Sequence, residues 1–278
     1  MSQNNNSNSV SLEQAEQYQS TLDQTVKDLG LPGTTASVIT PNGTWFGASG
    51  VANLETQDKM QPDDIFGIGS VTKAFTAATV LKTVESGELS LDDTLGQWLP
   101  EVAERIPDGE NITVRQLLNG TSGIYDFTEN PQYFPDVADD FQAGSTKEWK
   151  PEDLVAYAYD QPRFEEGQGS DQWTYPNTGN VLAGMIVAKA TGKDFSDVLQ
   201  EEILDPLGLK NTFYGKEGLE SIDRDRLVSG YQDLFTADGQ LGQDGIRDDL
   251  TNFNPDVFQA TGAMYSNTQD LVSFSQAL

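Results

Sequence analysis

Gly69-Ser70-Val71-Thr72-Lys73 runs directly into Ala74-Phe75-Thr76-Ala77-Ala78-Thr79-Val80-Leu81, and the stretch continues to Ser86 before Gly87 stops it. Small and apolar residues at helical spacing let neighbouring elements approach closely. The stretch therefore predicts a tightly packed central helix, with Ala74, Ala77, Ala78, Leu81 and Val84 as its buried stripe. Any fold open to this chain has to be arranged around that helix. Ser70 and Lys73 lie almost one turn apart at its start, so their side chains leave on the same face. Ser70 falls where free N–H groups and the positive end of the helix dipole gather. A hydroxyl there gains a partial oxyanion hole from its own N–H, and an amine beside it can take its proton. The spacing alone is weak, because a helix-capping serine beside a surface lysine leaves the same letters.

Two absences narrow the chemistry. The chain has no cysteine, which excludes disulfides, thiolate nucleophiles and Cys-ligated metals, and no histidine, which excludes a Ser-His-Asp triad and ordinary His-based zinc sites. Lys, Tyr and carboxylates remain as bases. No metal or cofactor is expected, since the acidic residues are not spaced like a calcium loop. The net charge is −28, from 44 acidic against 16 basic residues, which argues against a nucleic-acid partner. No apolar run approaches the ~20 residues of a membrane span. Residues 1–10 form a polar, low-complexity tail expected to be disordered, and they lack the basic start and apolar middle of a signal peptide.

Along the chain, Ser11 caps a helix to Leu29 with Leu12, Ala15, Tyr18, Leu22, Val26 and Leu29 on one side, closed by Gly30 and Pro32. Thr34–Thr40 and Thr44–Val51 flank Pro41-Asn42-Gly43, a hairpin signal. A short helix is expected up to Leu99-Pro100, and another from Thr113 to Leu118. It leads into the turn Asn119-Gly120-Thr121-Ser122-Gly123-Ile124-Tyr125-Asp126, a candidate cleft lining. Residues 129–150 read as a long loop, Pro151 to Tyr159 as a helix, and Gly167–Asp171 as flexible. Helices follow at Val181–Thr191 and Phe195–Ile203, then a tight turn at Pro206-Leu207-Gly208-Leu209. Tyr214–Pro255 reads as loops and short strands, and Thr268 opens a last helix with Leu271, Phe274 and Leu278 apolar. The order gives an α+β chain. Residues 11–278 form a single domain with a sheet lobe at about 11–68 and 256–278 and a mostly helical lobe at about 69–255.

Tyr175-Pro176-Asn177 is the second candidate cluster. A phenol near an amine can share or relay a proton, an asparagine amide can engage a substrate carbonyl, and Pro176 holds Tyr175 out of helical geometry. Taken alone, these letters also fit an ordinary turn before a helix. Ser70/Lys73, Thr121-Ser122-Gly123 and Tyr175/Asn177 occur in order in a chain lacking His and Cys. So do Pro206-Leu207-Gly208-Leu209 and Gly262-Ala263-Met264-Tyr265-Ser266.

This set resembles the penicillin-recognising serine hydrolases: class C β-lactamases, low-molecular-mass D-alanyl-D-alanine carboxypeptidases and related esterases. The nearest match is the secreted carboxypeptidase branch, on Gly123-Ile124-Tyr125-Asp126 followed by Phe127. The resemblance implies a β-lactamase/transpeptidase-like fold, an antiparallel sheet flanked by helices beside a helical lobe. It implies acylation of Ser70, proton handling by Lys73 and Tyr175, and a hold on the substrate amide by Asn177. It implies a peptidoglycan stem peptide or β-lactam as substrate, an extracytoplasmic location and a monomer. β-Lactamase, carboxylesterase and a non-catalytic penicillin-binding sensor stay open as alternatives, as does the choice of Lys73 or Tyr175 as base. The family's third motif, K-T-G or H-x-G, does not precede Leu278, and Lys216-Glu217-Gly218 stands in the wrong place. The chain is thus expected to be C-terminally incomplete, without that motif and most of the sheet.

The charge of −28 has two readings, a solvated acidic surface or adaptation to high salt. Under the second, the melting temperature climbs well beyond the ordinary salt response between low salt and molar sodium chloride. A flat or falling curve removes it.

Overall fold

The first helix begins where Ser11 places it. The Ser11 hydroxyl accepts from the Gln14 N–H at 3.2 Å, and the Gln14 side chain returns to the Ser11 N–H at 3.3 Å, closing a capping box. This computed structural model describes residues 10–163, 173–232 and 248–278. The expected tail, apart from Val10, and the flexible segment Gly167–Asp171 lie outside the described residues. Helix α1 (Leu12–Leu29) ends at Gly30 with φ 62°, a left-handed cap that glycine adopts without strain. Of its expected apolar side only Val26 is buried, while Leu12 and Leu29 stand exposed.

Strands β1 (Gly33–Thr40) and β2 (Gly43–Gly50) pair antiparallel, with Gly33 opposite Gly50 and Thr40 opposite Gly43. The hairpin is the expected one, but its two-residue turn is Pro41-Asn42, and Gly43 already belongs to the ladder. The Thr40 hydroxyl fastens the turn by donating to the Gly43 carbonyl at 2.8 Å and accepting from the Asn42 N–H at 3.2 Å. Helix α1 lies against β2, where Tyr18 meets Trp45 at 5.5 Å between ring centroids and Gln19 donates to the Ala48 carbonyl at 2.9 Å.

Strand β3 (Phe66–Gly67) leads through a 3₁₀ turn (Gly69–Val71) into α2 (Thr72–Glu85). The middle of the chain is helical: α3 (Leu95–Trp98), α4 (Pro100–Ala103), α5 (Val114–Asn119), α6 (Tyr133–Gln142), α7 (Pro151–Ala156), α8 (Asn177–Thr191) and α9 (Phe195–Leu199). A π-helical turn (Gln200–Leu204) joins α9 to α10 (Asp205–Leu207). Strand β4 (Phe213–Tyr214), α11 (Gly215–Ser221), β5 (Tyr231–Gln232), β6 (Asp248–Asp249), β7 (Met264–Ser266) and α12 (Thr268–Ala277) complete the described elements. Strand β7 lies between β3 and β4, antiparallel to both, while β1–β2 and β5–β6 form separate pairs. Helix α12 packs against β1. No helix among the described residues is long and apolar enough to cross a membrane.

Helix α8 is the axis of the larger core. It is buried from Thr178 to Val187 and packs against α2, α5 and α7. A Cβ on Gly179 would lie 2.4 Å from the Leu117 carbonyl oxygen, so only glycine lets α5 come this close. A second core holds Phe75, Leu199, Ile203, Leu204, Met264 and Phe274, with Phe75 and Phe274 stacked at 3.8 Å.

Four local readings change. The buried face of α2 is Thr72, Phe75, Thr76, Thr79, Val80 and Thr83, while Ala74 and Leu81 point outward. Apolarity alone misplaces this face, because threonine can be buried once its hydroxyl finds a carbonyl. Thr79 donates to Phe75 at 2.9 Å, Thr83 to Thr79 at 3.0 Å and Thr76 across to Ala260 at 2.6 Å. The expected loop at 129–150 contains α6, with Pro135 in its first turn, where proline is tolerated. The buried Asp140 then takes the Lys147 N–H at 2.8 Å and the Trp149 indole N–H at 3.0 Å. Helix α8 starts at Asn177 rather than Val181, because Asn180 satisfies the Pro176 carbonyl through both its backbone and its side-chain N–H groups, each at 2.9 Å. Helix α11 stands within the segment expected to be loops and strands.

Two substitutions on α2 test its orientation. Phe75→Ala is expected to remove about 3–5 kcal/mol from the unfolding free energy, and Leu81→Ala, half exposed, less than about 0.5 kcal/mol. Denaturant titration with the reverse order would refute this face assignment.

Candidate active site

Ser70, Lys73, Tyr175 and Asn177 come from the beginnings of α2 and α8, two helices packed against each other. Gly69, at φ 50°, turns the chain from β3 into the helix start and leaves Ser70 exposed. One turn on, Lys73 is half-buried. Its Nζ donates to Ser70 Oγ at 3.0 Å and to the Thr261 carbonyl at 2.9 Å. Burial pushes the Lys73 ammonium down to about 8, and the Asp126 carboxylate pulls it partly back up. Local desolvation thus outweighs the effect of a net charge of −28, which favours a protonated lysine.

Tyr175 meets Lys73 through its ring, with Nζ 4.7 Å from the ring centroid, a cation–π contact. It is 45% exposed, and Trp173 stands edge-on to it at 5.8 Å. The Asn177 amide is engaged at both ends. Its Nδ2 donates to Asp126 Oδ2 at 2.9 Å, and its Oδ1 accepts from the Thr261 hydroxyl at 2.9 Å. The structure therefore brings all four sequence candidates to one place.

The stretch 119–126 meets its expectation as a cleft lining only in part. Ser122 and Gly123 are buried, and the Ser122 carbonyl accepts from Arg163 Nε at 2.8 Å. The residue that reaches the site from this loop is Asp126, whose Oδ1 takes the Thr128 N–H at 3.0 Å and hydroxyl at 2.9 Å. Thr261 is the member that sequence reasoning missed, and Asp126 is expected there only as part of the cleft lining. Asp126 stands in the quoted Gly123–Phe127 run without a role assigned to it, and no spacing rule points to Thr261, whose carbonyl is a backbone group. Lys216 is remote in function, since its Nζ donates to the Ser145 carbonyl at 2.8 Å. Among the described residues no carboxylate cluster suits a metal ion.

A lysine held near 8 in the fold returns to 10.5 when the chain unfolds, so between these values the unfolded state binds the extra proton. Stability contributed by Lys73 therefore rises with pH across that window and is level below it. The parent chain is expected to gain on a Lys73→Met variant from about pH 8 upward in denaturant titrations. A constant difference would show that Lys73 is not desolvated.

The family model described as beta-lactamase matches residues 18–278. Penicillin-binding protein 4* of Bacillus subtilis (strain 168) is 27% identical over 231 residues, 82% of this chain but 48% of that protein. Esterase EstB of Burkholderia gladioli is 28% identical over 275 residues, 92% of this chain and 68% of the esterase. The chain thus spans about half the length of the first of these relatives. Among solved structures, a D-stereospecific amidohydrolase from Streptomyces sp. superposes with a TM-score of 0.78 at 32% identity, covering 95% of this chain and 72% of that one. D-amino acid amidase from Ochrobactrum anthropi SV3, in complex with D-phenylalanine, gives 0.78 at 31% identity, with 96% and 70% covered. A penicillin-binding protein homologue from Pyrococcus abyssi, at 0.72 and 27% identity with 96% and 56% covered, is octameric, so the likeness lends the expected monomer no support. The match runs through both helix starts that build the site, and with the fold shared over nearly its whole length this chain belongs to the beta-lactamase family.

Proposed function

We propose that this protein is a serine hydrolase that cleaves an amide bond beside a D-amino acid through an acyl-enzyme on Ser70, in the first instance as a D-alanyl-D-alanine carboxypeptidase. The observation that carries the reading is the Ser70 Oγ–Lys73 Nζ contact at 3.0 Å, with Lys73 held near 8. An amine with that value is partly neutral at neutral pH, and a neutral amine can accept the serine proton as Oγ attacks. Lys73 is favoured over Tyr175 as base, because Tyr175 offers Lys73 its ring face.

The steps follow from this pair. Ser70 Oγ bonds to the substrate carbonyl carbon, and its proton passes to Lys73. The tetrahedral oxyanion is stabilised by the Ser70 N–H at the helix start. The C–N bond breaks as the leaving amine takes the proton from Lys73. Water then adds to the ester, giving its proton to Lys73, and Ser70 leaves with a proton returned. Asn177 contacts the substrate amide by giving up the long 3.5 Å bond from its Nδ2 to the Thr128 hydroxyl while keeping the one to Asp126, and Tyr175, exposed at the rim, flanks the entering chain.

The preference for D-configured substrates rests on two structural neighbours whose names carry it. They also favour a second reading, a D-amino acid amidase. Esterase and β-lactamase activities of the same acyl-enzyme are the remaining family alternatives. A carboxypeptidase acting on peptidoglycan peptides, or reacting with penicillins, works outside the cytoplasmic membrane, and we place this protein there by the same reasoning.

Intact mass after incubation with benzylpenicillin is the direct test. A covalent adduct is expected on the parent and not on Ser70→Ala. Turnover of a peptide ending in D-Ala-D-Ala, against D-phenylalanine amide and its L-enantiomer, then separates carboxypeptidase from amidase. A parent that forms no adduct and turns over none of these substrates refutes the proposal.

A further inference from the structure

The site is held together by one run of hydrogen bonds that crosses three elements. Ser70 Oγ meets Lys73 Nζ at 3.0 Å, and Lys73 Nζ donates to the Thr261 carbonyl at 2.9 Å. The Thr261 hydroxyl donates to Asn177 Oδ1 at 2.9 Å, and Asn177 Nδ2 donates to Asp126 Oδ2 at 2.9 Å. With Lys73 protonated and Asp126 ionised, every link has one direction. An ionised carboxylate only accepts, so the Asn177 amide must turn its NH₂ toward Asp126. Its oxygen then faces Thr261, whose hydroxyl is left to donate. A lysine ammonium only donates, so it takes the Thr261 carbonyl. A positive group stands at one end of the run, a negative group at the other, and two neutral residues between them.

The middle of the run is itself pinned. Thr261 is buried at 2% exposure. Its neighbour Ala260 accepts from the Thr76 hydroxyl at 2.6 Å, and Met264 donates to the Thr72 hydroxyl at 3.3 Å, so the segment is stapled to α2 on both sides of Thr261. Gln259 adopts φ 44°, a conformation a non-glycine residue reaches only when its surroundings impose it. Its side chain is fixed by donation to the Trp149 carbonyl at 2.7 Å and by acceptance from the Tyr214 hydroxyl at 3.2 Å.

We propose that Asp126 and Thr261 are positioning residues for the Ser70–Lys73 pair: they clamp the Asn177 amide from both ends while Thr261 also holds the Lys73 ammonium. The proposal rests on the Ser70 acyl-enzyme reading for its kinetic consequences and on geometry alone for the clamp. Asp126 sets which way the Asn177 amide faces. Without the carboxylate the amide can turn over, with its NH₂ donating to the Thr261 hydroxyl, which then no longer donates to Asn177. Thr261 passes the constraint on. Its hydroxyl fixes the rotamer of Asn177, and its carbonyl fixes Lys73 against Ser70. Thr261 reaches the reacting pair through its main-chain carbonyl on Lys73 Nζ, and Asp126 is bonded to it only by way of Asn177.

The groups that face Lys73 among the described residues are Ser70 from its own helix start, the Thr261 carbonyl, the Tyr175 ring and the Asp126 carboxylate. Asp126 is the one opposite charge among them, so its removal is expected to lower the pH at which Lys73 gives up its proton.

Two readouts test this. The first needs no substrate: Lys73 is labelled with acetic anhydride over a pH series and quantified by peptide mass. The half-labelling pH is expected to fall in Asp126→Asn and stay near the parent value in a distant control such as Lys193→Gln. The second is the rate of Ser70 acylation by benzylpenicillin. Thr261→Val keeps the carbonyl and loses the hydroxyl, and about a tenfold loss is expected; Thr261→Ser is expected to restore most of it. A merely structural role would lower the melting temperature of the variants without moving the half-labelling pH or responding to serine rescue. An unmoved half-labelling pH in Asp126→Asn, or Thr261→Val acylating at the parent rate, overturns the proposal. If the parent is not acylated at all, the functional reading fails, and the labelling series alone still decides the clamp.

Discussion

A partly desolvated ammonium is the constraint on which the rest of this structure depends. Lys73 can sit close to Ser70 only if its charge is shared with a backbone carbonyl, and that carbonyl, Thr261, comes from the far end of the described chain. Meeting this need brings the 259–264 segment against α2, which in turn places β7 between β3 and β4. The same segment fixes Asn177 at the start of α8, and α8 is the axis of the larger core. Burial of one cation therefore organises contacts among elements that are remote in sequence. The energetic logic is that of any buried charge: it is tolerated where hydrogen bonds replace the lost water, and its protonation shifts where they do so incompletely.

Much of this was legible in the letters, because local rules carry far where local chemistry decides. Ser11, Thr113, Gly30, Gly87, Gly120 and Gly192 punctuate helices where capping rules put them. The absence of histidine and cysteine leaves Ser70 and Lys73 as the pair able to act, and the order of the Ser70/Lys73, Thr121–Gly123 and Tyr175/Asn177 clusters carries the family resemblance. What stayed hidden depends on partners far along the chain. The threonine face of α2 reads as polar until Ala260, for Thr76, and the helix's own carbonyls, for Thr79 and Thr83, supply acceptors. Helix α6 reads as loop because Pro135 and a run of acids interrupt the letters and a charged residue, Asp140, takes one place on its inward face, although Tyr133, Val137 and Asp140 recur at helical spacing. Thr261 carries no signal at all, since half of its contribution is a main-chain carbonyl that any residue possesses.

The overall charge and the local chemistry act on different scales. A chain with 44 acidic residues against 16 basic ones favours protonated lysines, but solvent and salt screen most of that field. At Lys73 the loss of water is a contact effect that screening does not reach, and it prevails. Asp126 stands between the two scales, near enough to oppose desolvation and bonded to Asn177 and Thr128 so that it cannot swing in to form a direct ion pair. A full ion pair would lock Lys73 in its charged form. A carboxylate held back leaves the amine able to change state.

The stacked rings of Phe75 and Phe274 link the helix that bears Ser70 to α12. Because the two faces share one buried contact, neither helix can expose its ring without uncovering the other. Their backbone amides should accordingly exchange with solvent as one cooperative opening unit, and the hairpin, which packs on α12 through β1, contributes no residue to its buried core. The sequence distance between Phe75 and Phe274 is then no guide to their order of unfolding: residues nearly 200 positions apart would be lost in a single step.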